Sequence, residues 1–359
     1  MMSARFLTVV LERAFNMRDG FGREIDYMRI SVIDSCNLNC YYCNPCDNNE
    51  HCHALNILSV KEVLCIVRAA TRLGIKHFRL TGGEPLLHPQ LDEMVLQIKK
   101  IPGVSSVSLT TNAVLLAQHA KWLKEAGIDS INVSLDTIDA SEYERITKKP
   151  LLEEVKHGIN AAIECGIRVK INVVLTPQTD VVALTRYVAK KGTDIRFIEM
   201  MPVGEGHTNG VEPYKKVIGT LSKLYGEPCR INTEKTKEIN SGNDKRKIPD
   251  NGPAEYYIFP ELGIRVGLIQ AIHGKFCDTC NRIRVTADGR LMPCLGSSVT
   301  MDLVPDSWDF ADDVEKDFAI VRALRAAIKA KPRCHNFNDN AVTYTKTTET
   351  KTVETRTTE

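Results

Sequence analysis

The chain has 359 residues, 47 lysines and arginines against 45 acids, and a formal net charge of +2. That balance excludes the broad basic field of a bulk nucleic-acid binder, and no run approaches the roughly 18 apolar residues of a membrane-spanning helix. The length is enough to bury a large core, either as one α/β barrel with an appendage or as two ordinary domains. Twelve cysteines, half of them in two clustered sets, point to metal ligation in a reducing compartment rather than to a disulfide framework. Cys46, Cys52, Cys65, Cys165, Cys229 and Cys334 are scattered and read as ordinary thiols.

The opening 17 residues form an extension in which Phe6 to Leu11 lie between Arg5 and Arg13. The run is short for a secretory signal and lacks a small-residue cleavage site, so a packing helix and a cytoplasmic protein are expected. An organelle presequence stays open, since Glu12 and Asp19 are the only acids before Glu24. From residue 27 to about 200, short strand-like runs alternate with helical segments, the pattern of repeated βα units and a parallel sheet. The strands are predicted at 27–33, 76–81, 105–111, 130–136, 167–174 and 194–200, with helices starting near Ser59, His88, Leu115, Ser141, Leu151 and Asp180. Ser59 and Glu62 form a capping box, and Gly74, Gly103, Gly127, Gly166 and Gly192 sit where helices should end. Six units make a partial (βα)6 TIM-like barrel, short of the eight needed for closure.

Within these strands the side chains alternate in character, and alternation assigns faces. Ile30, Val32, Phe78, Leu80, Val107, Leu109, Ile131, Val133, Leu135, Val169, Ile171 and Val173 share one face; Arg29, Ser31, Arg79, Thr81, Ser108, Thr110, Asn132, Ser134, Asp136, Lys170, Asn172 and Arg196 share the other. In a βα barrel the helices cover the outside, so the apolar set points outward and the polar set lines the lumen. Such a lumen would repel itself unless an anion sat among Arg29, Arg79, Lys170 and Arg196, and a polyphosphate suits them. A half-solvated antiparallel sheet would give the same alternation. From about 203 to 254 the periodicity weakens into a bridging segment around one amphipathic piece, Tyr214 to Tyr225.

Two cysteine sets stand out. Cys36, Cys40 and Cys43 follow the first strand at spacing C-x3-C-x2-C, three corners for a cubane cluster with one iron left open. Cys277 and Cys280 are followed by Cys294 across a predicted hairpin, Asn281 to Thr286 and Arg290 to Cys294. With Asp288 and Gly289 as a two-residue loop, residue 294 lies opposite residue 283. Arg282 and Arg284 then share one face and Ile283 and Val285 the other. Zinc remains an alternative at both sets, more so at the second.

The first trio together with Thr81, Gly82, Gly83, Glu84 and Pro85 resembles the radical S-adenosylmethionine (SAM) superfamily. The resemblance narrows on Phe21, Gly22 and Arg23, on Phe197 to Met201, on Gly252 to Ala254, and on the run from Cys277 through Arg282, Arg284 and Cys294 to Leu295. From about residue 18 to 337 the chain is similar to the GTP 3′,8-cyclase family of molybdenum-cofactor biosynthesis. That resemblance implies a radical SAM barrel over 18–202 and a bridging segment with an auxiliary iron–sulfur domain over 203–337. It implies two [4Fe-4S] clusters, on Cys36, Cys40 and Cys43 and on Cys277, Cys280 and Cys294. SAM contacts fall on Tyr42, Gly83, Ser134 and Met201; GTP contacts fall on Arg29, Arg79, Thr110, Lys170, Arg196, Arg282, Ile283 and Arg284, with Arg29, Arg282 and Arg284 catalytic.

The implied reaction begins with a deoxyadenosyl radical taking hydrogen from ribose carbon 3′ of GTP. Attack on guanine carbon 8 and reduction then give 3′,8-cyclo-7,8-dihydro-GTP. The implied partners are GTP, an external electron donor and, by product transfer, a cyclic pyranopterin monophosphate synthase; no nucleic acid or membrane is implied, and a homodimer is left open. Family chains end in a Gly-Gly pair, whereas residues 338–359 here form a tail, a Thr/Glu/Lys run from Val342, expected to be disordered. That difference keeps open a paralogue acting on another nucleotide; the non-catalytic alternative is a zinc-binding protein. The loop after Cys43, with Cys46, His51, Cys52 and His53, is read as surface.

Overall fold

The computed structural model describes residues 17–43, 56–204, 206, 211–231, 252–297, 299–303, 313–335 and 337. The N-terminal run before Met17, the Cys46, His51, Cys52 and His53 loop, and the tail from 338 lie outside them. Six βα units come first: β1 (Tyr27–Ser31), β2 (His77–Thr81), β3 (Ser106–Thr111), β4 (Ser130–Ser134), β5 (Val169–Leu175) and β6 (Asp194–Glu199). The helices are α1 (Val60–Arg72), α2 (Leu91–Lys99), α3 (Leu116–Glu125), α4 (Ala140–Thr147), α5 (Leu152–Glu164) and α6 (Val181–Lys190). The Ser59 capping box is present, Asp139 and Asp180 cap α4 and α6, and the expected terminating glycines have positive φ. Each adjacent pair from β1 to β6 is parallel. That finding rules out the antiparallel alternative.

The apolar parity set lies beneath the helices. Ile30, Phe78, Leu80, Leu109, Val133 and Ile171 join one continuous core with Ile66 and Val67 of α1, Val95 of α2, Leu123 of α3, Ile159 of α5 and Leu184 of α6. Burying such a set stabilises the fold by about 1.5–3 kcal/mol per large side chain, and it turns the alternate residues inward. Among the described residues no helix is long and apolar enough to cross a membrane.

The C-terminal part extends the partial barrel at both edges. It adds β7 (Cys229–Ile231), β8 (Glu255–Ile258), β9 (Arg265–Ile269), β10 (Arg282–Val285), β11 (Arg290–Met292) and β12 (Met301–Asp302), with α7 (Gly219–Tyr225) and α8 (Asp313–Lys329). The sheet order is β12-β11-β10-β1-β2-β3-β4-β5-β6-β9-β8-β7. β9 runs parallel to β6 and β10 parallel to β1, so the parallel run continues one strand beyond the six units on each side. Tyr27 pairs with Arg282 and Arg29 with Arg284, which brings the hairpin arginines onto the face that carries Arg29 and Arg79.

The hairpin itself differs by one residue from its expected register. Arg284 pairs with Met292 and Val285 with Leu291, so continuation sets Cys294 opposite Arg282 rather than Ile283. The loop has three residues, 287–289, closed by a Gly289 N–H to Thr286 carbonyl bond of 3.0 Å. Gly289 takes φ +77°, the left-handed position that a three-residue hairpin requires.

Two tight contacts fix the ends of β1. After β2, a Cβ on Gly82 would lie 2.3 Å from the Ile33 carbonyl oxygen and one on Gly83 2.2 Å from that of Ser35, so only glycine lets this turn rest on the segment leaving β1. Before β1, the buried Arg23 side chain forms an ion pair of 2.5 Å with Asp19. Its Nη1 donates to the Cys277 and Arg333 carbonyls at 2.7 and 2.9 Å, and its Nη2 to the Pro332 carbonyl at 2.6 Å. One guanidinium thus ties the N-terminal segment to the second cysteine set and to the stretch after α8. Arg23→Ala should lower unfolding stability by about 3–5 kcal/mol, because it strands a buried carboxylate and three carbonyls. Denaturant titration of the full chain measures this; a loss below ~1 kcal/mol would show that water replaces the guanidinium.

Candidate functional site

The site follows from strand direction. In parallel βα folds, loops at the C-terminal strand ends build active sites. Here those ends carry Cys36, Cys40 and Cys43 after β1, Gly82 to Glu84 after β2, Asn112 after β3, Ser134 and Asp136 at the end of β4, and Met201 after β6. β10 is parallel to β1, and Cys277 and Cys280 precede it, so they sit at the opposite, N-terminal end. Cys294 returns to that end along antiparallel β11. The two trios therefore bracket the inner face, separated by at least the five residues of β1, roughly 17 Å of strand.

The first trio is held by backbone bonds. Asn39 and Tyr41 donate to the Thr147 and Ile146 carbonyls at the end of α4, at 3.0 and 3.1 Å. Asp34 Oδ2 accepts from Asn56 N and Nδ2 at 3.1 and 2.7 Å, closing the base of the loop. Glu84, fully buried, accepts from Leu86 N, the Thr111 hydroxyl and Asn112 N at 3.0, 2.7 and 2.7 Å. Asn112 in turn donates to Asn37 Oδ1 at 2.7 Å and to Cys36 Sγ at 3.8 Å. The glutamate of the glycine-rich turn thus links β2, β3 and the cysteine loop. Burial pushes its carboxyl up, opposed by those three bonds.

Tyr42 donates to Asp136 Oδ2, and Asp136 Oδ1 accepts from Val174 N at 2.7 Å. Asp136 fell on the polar face in the sequence but received no role there; in the structure it fixes the Tyr42 ring between two cysteines. Burial raises its carboxyl to about 6. The Met201 loop closes against the same place: a Cβ on Gly204, at φ +64°, would lie 2.9 Å from the Cys43 carbonyl oxygen, and one on Gly206 2.6 Å from that of Met201.

Both trios fit iron–sulfur clusters by the chemistry of their donors. Burial, Asp136 and the neighbouring thiols push Cys40 up to about 12, and Cys36 and Cys43 are also raised, first by burial. Three such thiols ionise together only around positive charge. In the second trio burial raises Cys277, which the other thiols reinforce. Burial also opposes ionisation of Cys280, but Lys331 and Arg282 outweigh it and lower its thiol. Lys331 is buried, with Nζ donating to the Arg282 and Pro293 carbonyls, each at 2.8 Å. Among the described residues no three Cys, His, Asp or Glu side chains converge as ligands of a single metal ion do. Each trio supplies three thiol donors, enough for three corners of a cubane cluster with one iron left open.

Between the trios lies a row of cations. Arg284, Arg29 and Arg79 are successive partners across β10, β1 and β2. Arg29 is pushed well below its usual range, first by burial and then by Arg284 and Arg79, and its Nε has no hydrogen-bond partner. Burial also lowers Arg282, to about 10. Further along the face, Lys170 pairs with Asn132, and Arg196 Nε donates to Asn172 Oδ1 at 2.9 Å. Arg196 Nη2 and Asn132 Oδ1 are buried without partners. Among the described residues no carboxylate forms an ion pair with Arg29, Arg79 or Arg282. Half-buried arginines without carboxylate partners, beside the buried Lys170 and Arg196 and with orphaned donors on Arg29 and Arg196, make a built anion site.

Thr110 joins this face through its hydroxyl, 3.4 Å from Arg79 Nη1. Ser134 is exposed at the end of β4. Ile283 is different: its side chain lies in the apolar core on the far side of β10, so only its backbone is available to a ligand on the inner face. Gly267 escaped the sequence reading. A Cβ there would lie 2.8 Å from Arg196 Cγ and 2.9 Å from Tyr256 Cε1, so the glycine leaves room for the arginine. A glycine inside a strand was the available signal.

Two family models match this layout: the radical SAM superfamily over residues 30–183 and the molybdenum cofactor synthesis C-terminal family over 193–337. The GTP 3′,8-cyclase of Clostridium perfringens (strain SM101 / Type A) is 35% identical over 324 residues, covering 89% of this chain and 95% of that protein. The GTP 3′,8-cyclase of Peptoclostridium acidaminophilum is 37% identical over 328 residues, covering 89% and 94%. Among solved structures, SAM-bound SuiB of Streptococcus suis gives a TM-score of 0.55 at 15% identity over 83% of this chain and 65% of that one. Native anSMEcpe with bound AdoMet gives 0.51 at 16% identity, covering 83% and 82%. These two likenesses show the fold, which is that of the radical SAM enzymes. With matched families spanning both cysteine sets and curated relatives 35% and 37% identical over almost their whole length, the chain belongs to the GTP 3′,8-cyclase family of the radical SAM superfamily.

Proposed function

We propose that the inner face binds GTP between the two cysteine sets and cyclises it to (8S)-3′,8-cyclo-7,8-dihydroguanosine 5′-triphosphate, the first step of molybdenum-cofactor biosynthesis. The observation that carries this reading is the row of half-buried guanidinium groups, bracketed at its two ends by three-cysteine sets. Cys36, Cys40 and Cys43 hold one [4Fe-4S] cluster, with SAM against Tyr42, Gly83, Ser134 and Met201. Cys277, Cys280 and Cys294 hold the other. When bound, the clusters and SAM supply the one-electron chemistry that starts and ends the cyclisation.

The chain's own residues do the positioning. Arg29, Arg79, Lys170 and Arg196 hold the triphosphate, with Thr110 beside them. Arg282 and Arg284 lie between that charge and the second trio, and Ile283 contributes backbone. Held from both ends, ribose and base meet in a single orientation, which turns ring closure into an intramolecular step. The cysteine chemistry requires a reducing compartment and an external electron donor, in keeping with a cytoplasmic enzyme that passes its product to a cyclic pyranopterin monophosphate synthase.

Two kinds of variant with opposite signatures test this reading on cluster-loaded protein. Arg282→Ala and Arg284→Ala should each weaken GTP binding by about tenfold or more, the loss of a charge-assisted bond, while SAM cleavage without cyclisation continues. Unchanged GTP affinity in both would remove the hairpin from the substrate site. Gly83→Ala should do the reverse, lowering SAM affinity while GTP still binds, because its Cβ displaces the turn that rests on Ser35. Equilibrium binding of each ligand, read separately, decides.

A further inference from the structure

The cation row contains one phenol that the reaction does not use. Tyr27 opens β1, is buried, and stands opposite Arg282 on β10 and His77 on β2. Arg79 Nε donates to its hydroxyl at 2.5 Å. The Arg79 guanidinium carbon lies 6.0 Å from its ring centroid and that of Arg282 5.8 Å. Strand parity puts Tyr27 on the same face as Arg29, and Arg284 is Arg29's own partner.

The remaining charged neighbours do not neutralise the row. His77, with its ring 6.3 Å from that of Tyr27, bonds Ser106 Oγ through Nδ1, and burial pulls its imidazole below its ordinary range against the opposing charge of Asp26. Asp26 faces away from the row: it accepts from Asn281 Nδ2 at 2.6 Å and lies 3.7 Å from Lys76 Nζ and 4.0 Å from His77 Nε2. Arg282 lies over Phe276, with its guanidinium carbon 6.0 Å from that ring. Among the described residues the Tyr27 hydroxyl oxygen is thus the acidic group bonded to this row, with the Cys280 thiol acting on Arg282 from the cysteine side.

We propose that Tyr27 is a titratable counter-anion of the guanidinium row: on the alkaline side its phenolate holds Arg79 while the site is empty, and it takes up a proton from solvent when a triphosphate arrives to neutralise the row. The proposal rests on the reading that GTP's triphosphate binds here. The electrostatics agree. Burial alone would push the phenol up, but the Arg79, Arg282 and Arg29 charges outweigh it and bring it from 10 down to about 8. Added phosphate charge would raise it again, so binding and proton uptake are linked. The sign follows: affinity is full below pH ~8 and falls as pH rises through that value, by up to about tenfold per unit. Tyr27 is a positioning residue, acting through Arg79 and Arg282.

The test uses cluster-loaded protein with GTP and no SAM, so that binding proceeds without turnover. Calorimetry at about pH 8.5, in two buffers of different ionisation heat, counts protons taken up; wild type should exceed Tyr27→Phe by about half a proton or more per site. The variant's GTP affinity should also stay flat where that of wild type falls with pH. As a check that needs no variant, inorganic tripolyphosphate added to the wild-type protein should reduce the near-ultraviolet tyrosinate absorbance. Equal proton uptake in both proteins, or an unchanged tyrosinate signal on tripolyphosphate binding, overturns the proposal. Arg29→Ala and Arg79→Ala separate this from failure of the site reading: if both bind GTP like wild type, the row is not the triphosphate site and the proposal falls with it.

Discussion

The parallel pairing of β10 with β1 is the constraint on which the site depends. Four consecutive residues of β1, Tyr27 to Ile30, are in register with Arg282 to Val285. Because side chains alternate, a slip of one residue would bury the two hairpin arginines in the helix-covered core and turn Ile283 and Val285 toward the lumen. The apolar pair is almost wholly buried in the core, so the hydrophobic effect itself holds the register that presents Arg282 and Arg284 inward. Arg23 and Lys331 secure the same junction by a second means, capping carbonyls at Cys277, Arg282, Pro293, Pro332 and Arg333.

That junction also separates two electrostatic environments. At the C-terminal strand ends, burial, Asp136 and mutual repulsion oppose thiolate formation, so the first cysteine set is stable as thiolates only around its metal. At the other end Lys331 and Arg282 favour the Cys280 thiolate. Between them the inner wall carries cations without carboxylate partners, a cost the fold bears in its empty state and an anionic ligand relieves. Gly82, Gly83 and Gly267 make the close approaches possible: the first two let one turn rest on the segment after β1, and the third makes room for Arg196.

Much of this was legible in the sequence because it depends on periodicity. The six strands, their faces, the capping residues and the four basic wall positions all follow from alternation and local turn chemistry, and each strand falls within about two residues of its expected bounds. What periodicity does not carry is which distant strand pairs with which. The sequence placed Cys277, Cys280 and Cys294 beside a hairpin, but not that hairpin beside β1, a contact spanning some 255 residues. The hairpin register shifted by one because a left-handed Gly289 closes a three-residue loop as readily as a two-residue one. Asp136, Lys331 and Tyr27 received no role for a similar reason. Each acts through a neighbour supplied by another element.

The most direct test of the account is anaerobic turnover by cluster-loaded protein with SAM, GTP and a strong reductant, following 5′-deoxyadenosine and cyclised nucleotide together. Both should rise in step, with deoxyadenosine formation coupled to bound GTP. Deoxyadenosine appearing without cyclised nucleotide would contradict the account: SAM cleavage would stand, but the guanidinium row between the two cysteine sets would not be where GTP is cyclised.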